Sequence, residues 1–230
     1  MAFKITKRLT VLDNTTKFNG IAAVYAKARP DYAPAFIDWL YSDAGMKTDS
    51  VVADIGSGTG IFSKALLERG GTVYGVEPNA DMRITTENTL CGFPNFHSVD
   101  GTAENTTLAA NSVDFITVAQ AFHWFDFVKT RVEFKRILKD QGRVFLVWNK
   151  RLADTEFMRR YESILRADIS EYREVSHTNV TDEMLQEFLD ENAGESKYAL
   201  YFNSNRYAGK ETAVKRGEFV NESTKSIFVV

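Results

Sequence analysis

A glycine-rich turn that directly follows an apolar strand constrains this chain most strongly. The run Val51–Ile55 is apolar apart from Asp54, and glycines follow at Gly56, Gly58 and Gly60 before a helical pattern begins. Because glycine lacks a Cβ, such a turn can take positive φ and let a ligand approach backbone N–H groups at a helix N-terminus. The pattern predicts a strand, a ligand-binding loop and a helix, in that order.

The next strand and the glycine spacing narrow the range of possible ligands. A strand pattern over 72–77 ends in Glu77, where a doubly wound sheet places a carboxylate for a ribose diol. The spacing G-x-G-x-G differs from the dinucleotide pattern G-x-G-x-x-G, since Ile61 replaces its third glycine, and it also differs from a phosphate-binding P-loop. Asp54 is an unfavourable neighbour for pyrophosphate but a good partner for an ammonium or a hydroxyl. We therefore expect a cationic nucleoside cofactor without phosphate.

Strand and helix patterns alternate between about residues 51 and 150, which predicts βαβ units and a parallel sheet. The predicted strands cover 51–55, 72–77, 95–99, 113–118 and 142–148, with two more at 198–202 and 226–230. The predicted helices cover 14–28, 34–44, 60–69, 80–89, 125–138, 154–170 and 181–191.

Composition sets modest bounds on function. With 230 residues, 44% of them hydrophobic, the chain can bury one good core. A net charge of −3 gives no basic field, so nucleic acid is not the expected partner. There is no apolar run long enough for a membrane span and no secretory signal, so we expect a soluble, cytoplasmic protein. Cys91 is the single cysteine, which rules out an intramolecular disulfide, and the three scattered histidines predict no metal site.

The loop Asp54-Ile55-Gly56-Ser57-Gly58-Thr59-Gly60 resembles the first motif of the class I S-adenosylmethionine-dependent methyltransferases. The resemblance implies an α/β, Rossmann-like, doubly wound and mainly parallel sheet of seven strands. It also implies an N-terminal helical lid over 1–45 and an S-adenosylmethionine-binding core over 46–150. A helical insert and the last two strands of the same domain would occupy 151–230. Residues 203–225 are polar, which leaves open whether the sheet is completed normally or shortened at its C-terminal end.

The resemblance implies further contacts to the cofactor. The segment beginning Glu77-Pro78 resembles the family's second motif, in which the acidic residue accepts hydrogen bonds from both ribose hydroxyls and Met82 would lie against the adenine. The string Asp100-Gly101-Thr102-Ala103-Glu104 resembles the loop that holds the adenine amino group, although many relatives carry aspartate where Thr102 stands. Core packing is the alternative for Met82, and turn or capping chemistry is the alternative for Asp100 and Glu104.

The end of the fourth strand carries the most distinctive string after the glycine loop. Its A-x-H-W-F-D pattern resembles a subgroup of small-molecule methyltransferases that includes the trans-aconitate methyltransferase-like enzymes. By this resemblance Gln120 would lie near the methionine portion of the cofactor, and His123 and Trp124 near the incoming nucleophile. His123 would act as the base for a hydroxyl or amine acceptor, whereas a carboxylate acceptor needs none. Structural packing is the alternative for both residues.

An N-terminal string completes the resemblance. Tyr25 to Tyr32 matches the Y-x-x-x-R-P-x-Y run of this subgroup, in which Tyr25 and Arg29 would approach the cofactor carboxylate. Arginine suits that role because its guanidinium matches a carboxylate bidentately. The residues expected to contact the cofactor are Tyr25, Arg29, Asp54, Gly56, Ser57, Gly58, Gly60, Glu77, Pro78, Met82, Thr102, Ala103, Glu104 and Gln120.

The resemblance therefore implies a methyltransferase that uses S-adenosylmethionine and acts on a small molecule, with a carboxylate or hydroxyl acceptor favoured. No basic and aromatic interleaving suggests an RNA substrate, and the nucleobase-methylating N-P-P-Y type of string is absent after the fourth strand. The sequence leaves two alternatives of other classes open. One is a nicotinamide-dependent Rossmann oxidoreductase, and the other is a non-catalytic cofactor-binding module.

Overall fold

Five parallel strands form the part of the sheet that positions the site, in the order β3-β2-β1-β4-β5. The computed structural model describes residues 31–150, 156–168, 198–202 and 225–229, with residues 20, 22, 29, 180, 184, 185 and 188. The strands are β1 (Val51–Ile55), β2 (Thr72–Val76), β3 (Phe96–Val99), β4 (Val113–Ala119) and β5 (Leu138–Lys150). The prediction of an α/β fold with a mainly parallel sheet is confirmed.

Helices lie before, between and after these strands in the chain. They are α1 (Pro34–Ser42), α2 (Ile61–Leu67), α3 (Ala80–Leu90), a 3-10 helix (Phe122–Trp124), α4 (Phe127–Ile137) and α5 (Glu156–Asp168). One buried cluster joins α1 and α2 to the sheet through residues such as Phe36 and Phe62. A second cluster joins α4 to the sheet through residues such as Phe122 and Phe134. The two faces are therefore each closed by an apolar layer, as βαβ connections require.

Two further strands pair beyond β5. β7 (Lys225–Val229) runs antiparallel to β5, and β6 (Tyr198–Phe202) runs antiparallel to β7. Among the described residues the strand order is β3-β2-β1-β4-β5-β7-β6. Helices predicted over 14–28 and 181–191 lie outside the described residues, apart from isolated positions.

The start of β5 differs from the prediction. The turn signal Asp140-Gln141-Gly142 suggested a strand beginning at 142, but β5 already begins at Leu138. The pairing with β4 jumps from Val113↔Leu138 to Phe115↔Arg143, so several residues of β5 face one residue of β4. Gln141 takes φ 67 within this irregularity. The turn-forming residues therefore make a bulge inside the strand rather than a break before it.

The order of the strands across the sheet reverses direction at β1. This strand pairs with β2 on one side and with β4 on the other, and both pairings are parallel. In open α/β sheets, ligands bind outside the carboxyl ends of the strands at such a reversal. The glycine loop follows β1 and Gln120 follows β4, so the two candidate segments meet at that edge. No helix in the described part of the chain is both long and apolar enough to cross a membrane.

Candidate active site

The three glycines of the loop after β1 have positive φ but different surroundings. A Cβ added to Gly56 would lie 2.6 Å from Ala121 Cβ, and one added to Gly60 would lie 2.6 Å from Thr86 Cγ2. A Cβ added to Gly58, where φ is 56, would meet nothing within 4 Å among the described residues. Gly56 and Gly60 therefore allow close packing within the protein, whereas Gly58 presents bare backbone to an open face.

Glu77 bridges the glycine loop and the turn that follows β2. Its Oε2 accepts a hydrogen bond from the Gly58 N–H at 3.0 Å, and its Oε1 accepts one from the Asn79 N–H at 2.9 Å. Burial raises the pKa of Glu77 despite these two hydrogen bonds and the nearby Arg83 guanidinium. An ionised carboxylate has about four acceptor positions, so Glu77 retains capacity for a pair of ligand hydroxyls.

Asp54 lies beneath the loop rather than at its open face. It is fully buried, and its two oxygens accept hydrogen bonds from Ser63 Oγ at 2.6 Å and Thr117 Oγ1 at 3.0 Å. Burial raises its pKa to about 6, although both hydroxyl hydrogen bonds act in the opposite direction. The expected contact with a cofactor ammonium is not what this geometry offers, because the Asp54 side chain is 0% exposed and lies beneath the loop. Asp54 ties β1 to α2 and β4 and so supports the loop from below.

The pH dependence of stability should reveal this buried carboxyl. A raised native pKa means that Asp54 contributes stability fully below about pH 4, and that this contribution is lost as the pH rises through about 6. In Asp54→Asn the side-chain amide can accept from one hydroxyl and donate to the other. We expect Asp54→Asn to exceed wild type in free energy of unfolding by up to about 3 kcal/mol at about pH 8. The gain should shrink towards about pH 4.

Urea unfolding at both pH values checks this expectation, with Asp49→Asn as the control because Asp49 is exposed. The difference between each variant and the wild type matters, since other carboxyls also titrate in this range. A gain for Asp54→Asn of equal size at both pH values would contradict the account.

The other residues predicted on the β1 and β2 side occupy varied positions. Ser57 is half-buried, and its N–H donates to Val76 O at 3.2 Å. The Pro78 carbonyl accepts from Arg83 at 2.8 Å. Met82 is only 2% exposed and packs within the core, which matches the alternative weighed for it from the sequence.

The loop after β3 closes on itself and on α4. Thr102 and Asn105 exchange backbone hydrogen bonds of 3.1 and 3.2 Å, and Ala103 between them is buried. Glu104 Oε1 accepts a hydrogen bond from the Asp126 N–H at 2.8 Å. This oxygen is therefore directed at the protein, as the capping alternative for Glu104 requires.

The end of β4 lies beside the glycine loop. Gln120 takes φ 61, and its amide nitrogen Nε2 is buried without a hydrogen-bond partner among the described residues. His123 and Trp124 lie on the 3-10 helix that follows, both half-buried, with ring centroids 4.8 Å apart. The contact between Ala121 and Gly56 joins this segment to the loop. The structure thus brings Gln120 and the glycine loop to one edge of the sheet.

The structure describes only some of the N-terminal residues that were predicted to contact the cofactor. Arg29 is half-buried, and Tyr25 lies outside the described residues. The Gly20 N–H donates to Asp81 Oδ2 at 2.8 Å, which attaches this part of the chain to the first turn of α3. Among the described residues, no group of His, Cys, Asp and Glu side chains is arranged to hold a metal ion.

Three supporting residues were missed from the sequence. Ser63 and Thr117 hold Asp54, and Asn79 caps α3 by accepting from the Met82 N–H at 2.9 Å. Thr117 could have been noticed as a hydroxyl within the otherwise apolar run from Phe115 to Ala119, because a buried polar group needs a partner. Asn79 stands just before a helical pattern, which is a recognised N-cap signal.

Comparison with known proteins gives consistent matches. A family model described as a methyltransferase domain matches residues 53–146. An uncharacterized methyltransferase of Mycobacterium tuberculosis is 36% identical over 156 residues, which cover 68% of this chain and 61% of that protein. An uncharacterized methyltransferase of Geobacillus kaustophilus is 30% identical over 154 residues, which cover 66% of this chain and 67% of that protein.

A solved structure extends the likeness over the whole chain. A Methanococcus maripaludis protein assigned as an S-adenosyl-L-methionine-dependent methyltransferase aligns with a TM-score of 0.57 and 18% identity. The alignment covers 100% of this chain and 96% of that one. At this identity the likeness is one of fold.

Proposed function

Because the chain belongs to the methyltransferase-domain family, we propose that it transfers the methyl group of S-adenosylmethionine to a small-molecule acceptor. The observation that carries the proposal is the pairing of Gly58 with Glu77. A bare backbone position with an open face lies directly beside a half-buried carboxylate at the end of β2. The ligand that suits this pair best is a ribose diol, because Glu77 can accept from its hydroxyls and Gly58 has no side chain in its way.

The residues of the site fit this cofactor. Glu77 would accept from the ribose hydroxyls, and the open face at Gly58 would admit the nucleoside against the backbone. The buried Gln120 Nε2 donor would find an acceptor in the carboxylate of the methionine portion. Arg29 would add a charged donor to the same carboxylate, as the N-terminal motif suggests.

The chain's own part in the reaction is mainly positional. S-adenosylmethionine supplies a methyl group that is already activated by its sulfonium. The protein must hold the acceptor in line with that methyl, and such orientation alone lowers a barrier substantially. For a hydroxyl acceptor, a ring nitrogen of His123 would take the proton, and Trp124 would cover the acceptor from water. For a carboxylate acceptor, His123 would only orient the substrate.

The glycine loop offers a test that separates packing from ligand contact. Gly60→Ala should destabilise the fold by about 2–4 kcal/mol, because its Cβ overlaps Thr86 and its φ is 77. Gly58→Ala should cost only about 1–2 kcal/mol from its positive φ. Yet Gly58→Ala should weaken S-adenosylhomocysteine binding by about tenfold or more, since the methyl would occupy the ligand face. Calorimetric titration and urea unfolding of both variants check these expectations. Unchanged affinity in a folded Gly58→Ala chain would contradict the assignment of the ligand face.

The finer assignments belong to the same proposal. The A-x-H-W-F-D string favours a trans-aconitate methyltransferase-like subgroup, and with it a carboxylate or hydroxyl acceptor. We retain the division into a lid over 1–45, a core over 46–150 and an insert with the last strands over 151–230. The family match at 53–146 falls within that core. A cytoplasmic location stays a prediction. The chain spans 61% of the length of its Mycobacterium relative. The activity is therefore proposed for this chain and is not inferred from the whole relative.

A competitive titration tests the proposal against its two alternatives. S-adenosylhomocysteine should bind the chain, whereas NADH should not. The family membership and the glycine spacing already argue against a nicotinamide-dependent oxidoreductase. Binding of NADH in preference to S-adenosylhomocysteine would overturn the proposal. Binding of S-adenosylhomocysteine with no methyl transfer to any metabolite would instead indicate the non-catalytic module.

A further inference from the structure

Glu104, which lies in the loop after β3, completes the N-terminal cap of helix α4. Asp126 is the N-cap residue of α4, and its Oδ1 accepts from the Lys129 N–H at 3.2 Å. In a capping box, a glutamate or glutamine at the position of Lys129 would reach back to the N-cap N–H. Lysine cannot accept that hydrogen bond. Glu104 supplies the missing acceptor from 22 residues away, with its Oε1 at 2.8 Å from the Asp126 nitrogen.

The same loop is fastened to α4 at a second place. Glu133 Oε1 accepts hydrogen bonds from both the backbone N–H and the hydroxyl of Thr106, and both residues are buried. Arg136 donates to the Leu108 carbonyl at 2.8 Å. The far side of the loop is thus fixed to the middle of the helix. The hydrogen bond from the Asp126 N–H to Glu104 fixes the near side of the loop to the start of α4, just after His123 and Trp124.

The segment between these attachments also contacts the glycine loop. The space that a Gly56 side chain would need is filled by Ala121 Cβ, and the Phe125 ring lies 3.4 Å from the same point. Residues 121–126 are therefore held between the glycine loop on one side and Glu104 on the other. The glycine loop is proposed to meet the ribose of the cofactor, and by the family resemblance the Thr102-Ala103 loop would meet its adenine.

We propose that Glu104 is a positioning residue that transmits cofactor binding at the Thr102-Ala103 loop to the segment carrying His123 and Trp124. Binding of the nucleoside fixes the loop, the loop fixes the Glu104 carboxylate, and the carboxylate fixes the start of α4. The acceptor side of the site is then ordered before the acceptor arrives. Glu104 acts here through the Asp126 N–H and not by contact with the cofactor. The inference rests on the proposed function, because it requires the cofactor to bind.

Hydrogen–deuterium exchange of the intact chain with and without S-adenosylhomocysteine tests the inference. In the wild type, the ligand should slow amide exchange both in the glycine loop, 56–60, and in the segment 121–130. Glu104→Gln should show the same protection as the wild type, because its amide oxygen can still accept from the Asp126 N–H. In Glu104→Ala the glycine loop should still be protected, whereas the ligand-induced protection of 121–130 should fall by about fivefold or more.

The outcomes separate the inference from the proposed function. No protection of 56–60 in the wild type means that the cofactor does not bind, and the proposed function fails. Protection of 56–60 without protection of 121–130 in the wild type overturns the inference alone. So does a Glu104→Ala chain in which 121–130 exchanges faster overall but keeps its full ligand-induced protection, since Glu104 would then be only a helix cap. A loss of S-adenosylhomocysteine affinity beyond about tenfold in Glu104→Ala would show a direct cofactor contact and overturn it as well.

Discussion

Replacement of Glu77 by alanine should weaken S-adenosylhomocysteine binding by about 100-fold or more. Two hydrogen bonds from ribose hydroxyls to a carboxylate contribute about 1.5–3 kcal/mol each, which corresponds to that loss. The same change also frees the N–H groups of Gly58 and Asn79, so the loop loses its support. Calorimetric titration measures the affinity. Glu87→Ala is the matched control, because Glu87 is an exposed glutamate on the neighbouring helix α3.

A ligand analogue separates the two effects of Glu77→Ala. S-adenosylhomocysteine lacking the 2′-hydroxyl should bind the wild type about tenfold more weakly, as the loss of one charged hydrogen bond predicts. The same analogue should bind Glu77→Ala as well as the complete ligand does, because the partner of that hydroxyl is gone. Equal losses for the analogue in both proteins would mean that Glu77 only supports the loop.

Replacement of His123 by alanine should reduce turnover far more than cofactor affinity. If the acceptor is a hydroxyl, loss of the base should lower the rate by about 100-fold or more. The affinity for S-adenosylhomocysteine should stay near that of the wild type, because His123 is proposed to face the acceptor. His97→Ala is the control, since His97 is an exposed histidine on β3 that stacks on Tyr74. Equal losses of turnover and affinity, or no loss of turnover, would contradict the catalytic role.

The fold was largely predictable because its signals are local. Period and turn signals identified β1, α2, β2 and α3 to within two residues at each end. The glycines of the loop also predicted a turn with positive φ, and the structure has one. The start of β5 was missed because Gln141 and Gly142 shape a bulge, and a bulge and a turn use the same residues.

The supporting contacts of the site could not be predicted, because they join residues far apart in the chain. Asp54 was recognised from its motif, but its buried carboxylate accepts a hydrogen bond from Thr117, which lies 63 residues further on. In the same way, the sequence suggested a ligand contact or a helix cap for Glu104, but it could not show that the capped helix begins at Asp126, 22 residues further on. Sequence patterns report which residues carry chemistry. They do not report which of those residues are used to hold the others.

Transfer of a labelled methyl group is the most direct measurement of the central proposal. The chain is incubated with methyl-labelled S-adenosylmethionine and a pool of small metabolites, with Glu77→Ala and Glu87→Ala in parallel. We expect label to appear in one or more small acids or hydroxyl compounds with the wild type and with Glu87→Ala, and to be lost with Glu77→Ala. Absence of label from every metabolite, in a chain that binds S-adenosylhomocysteine, would contradict the proposed methyltransferase activity.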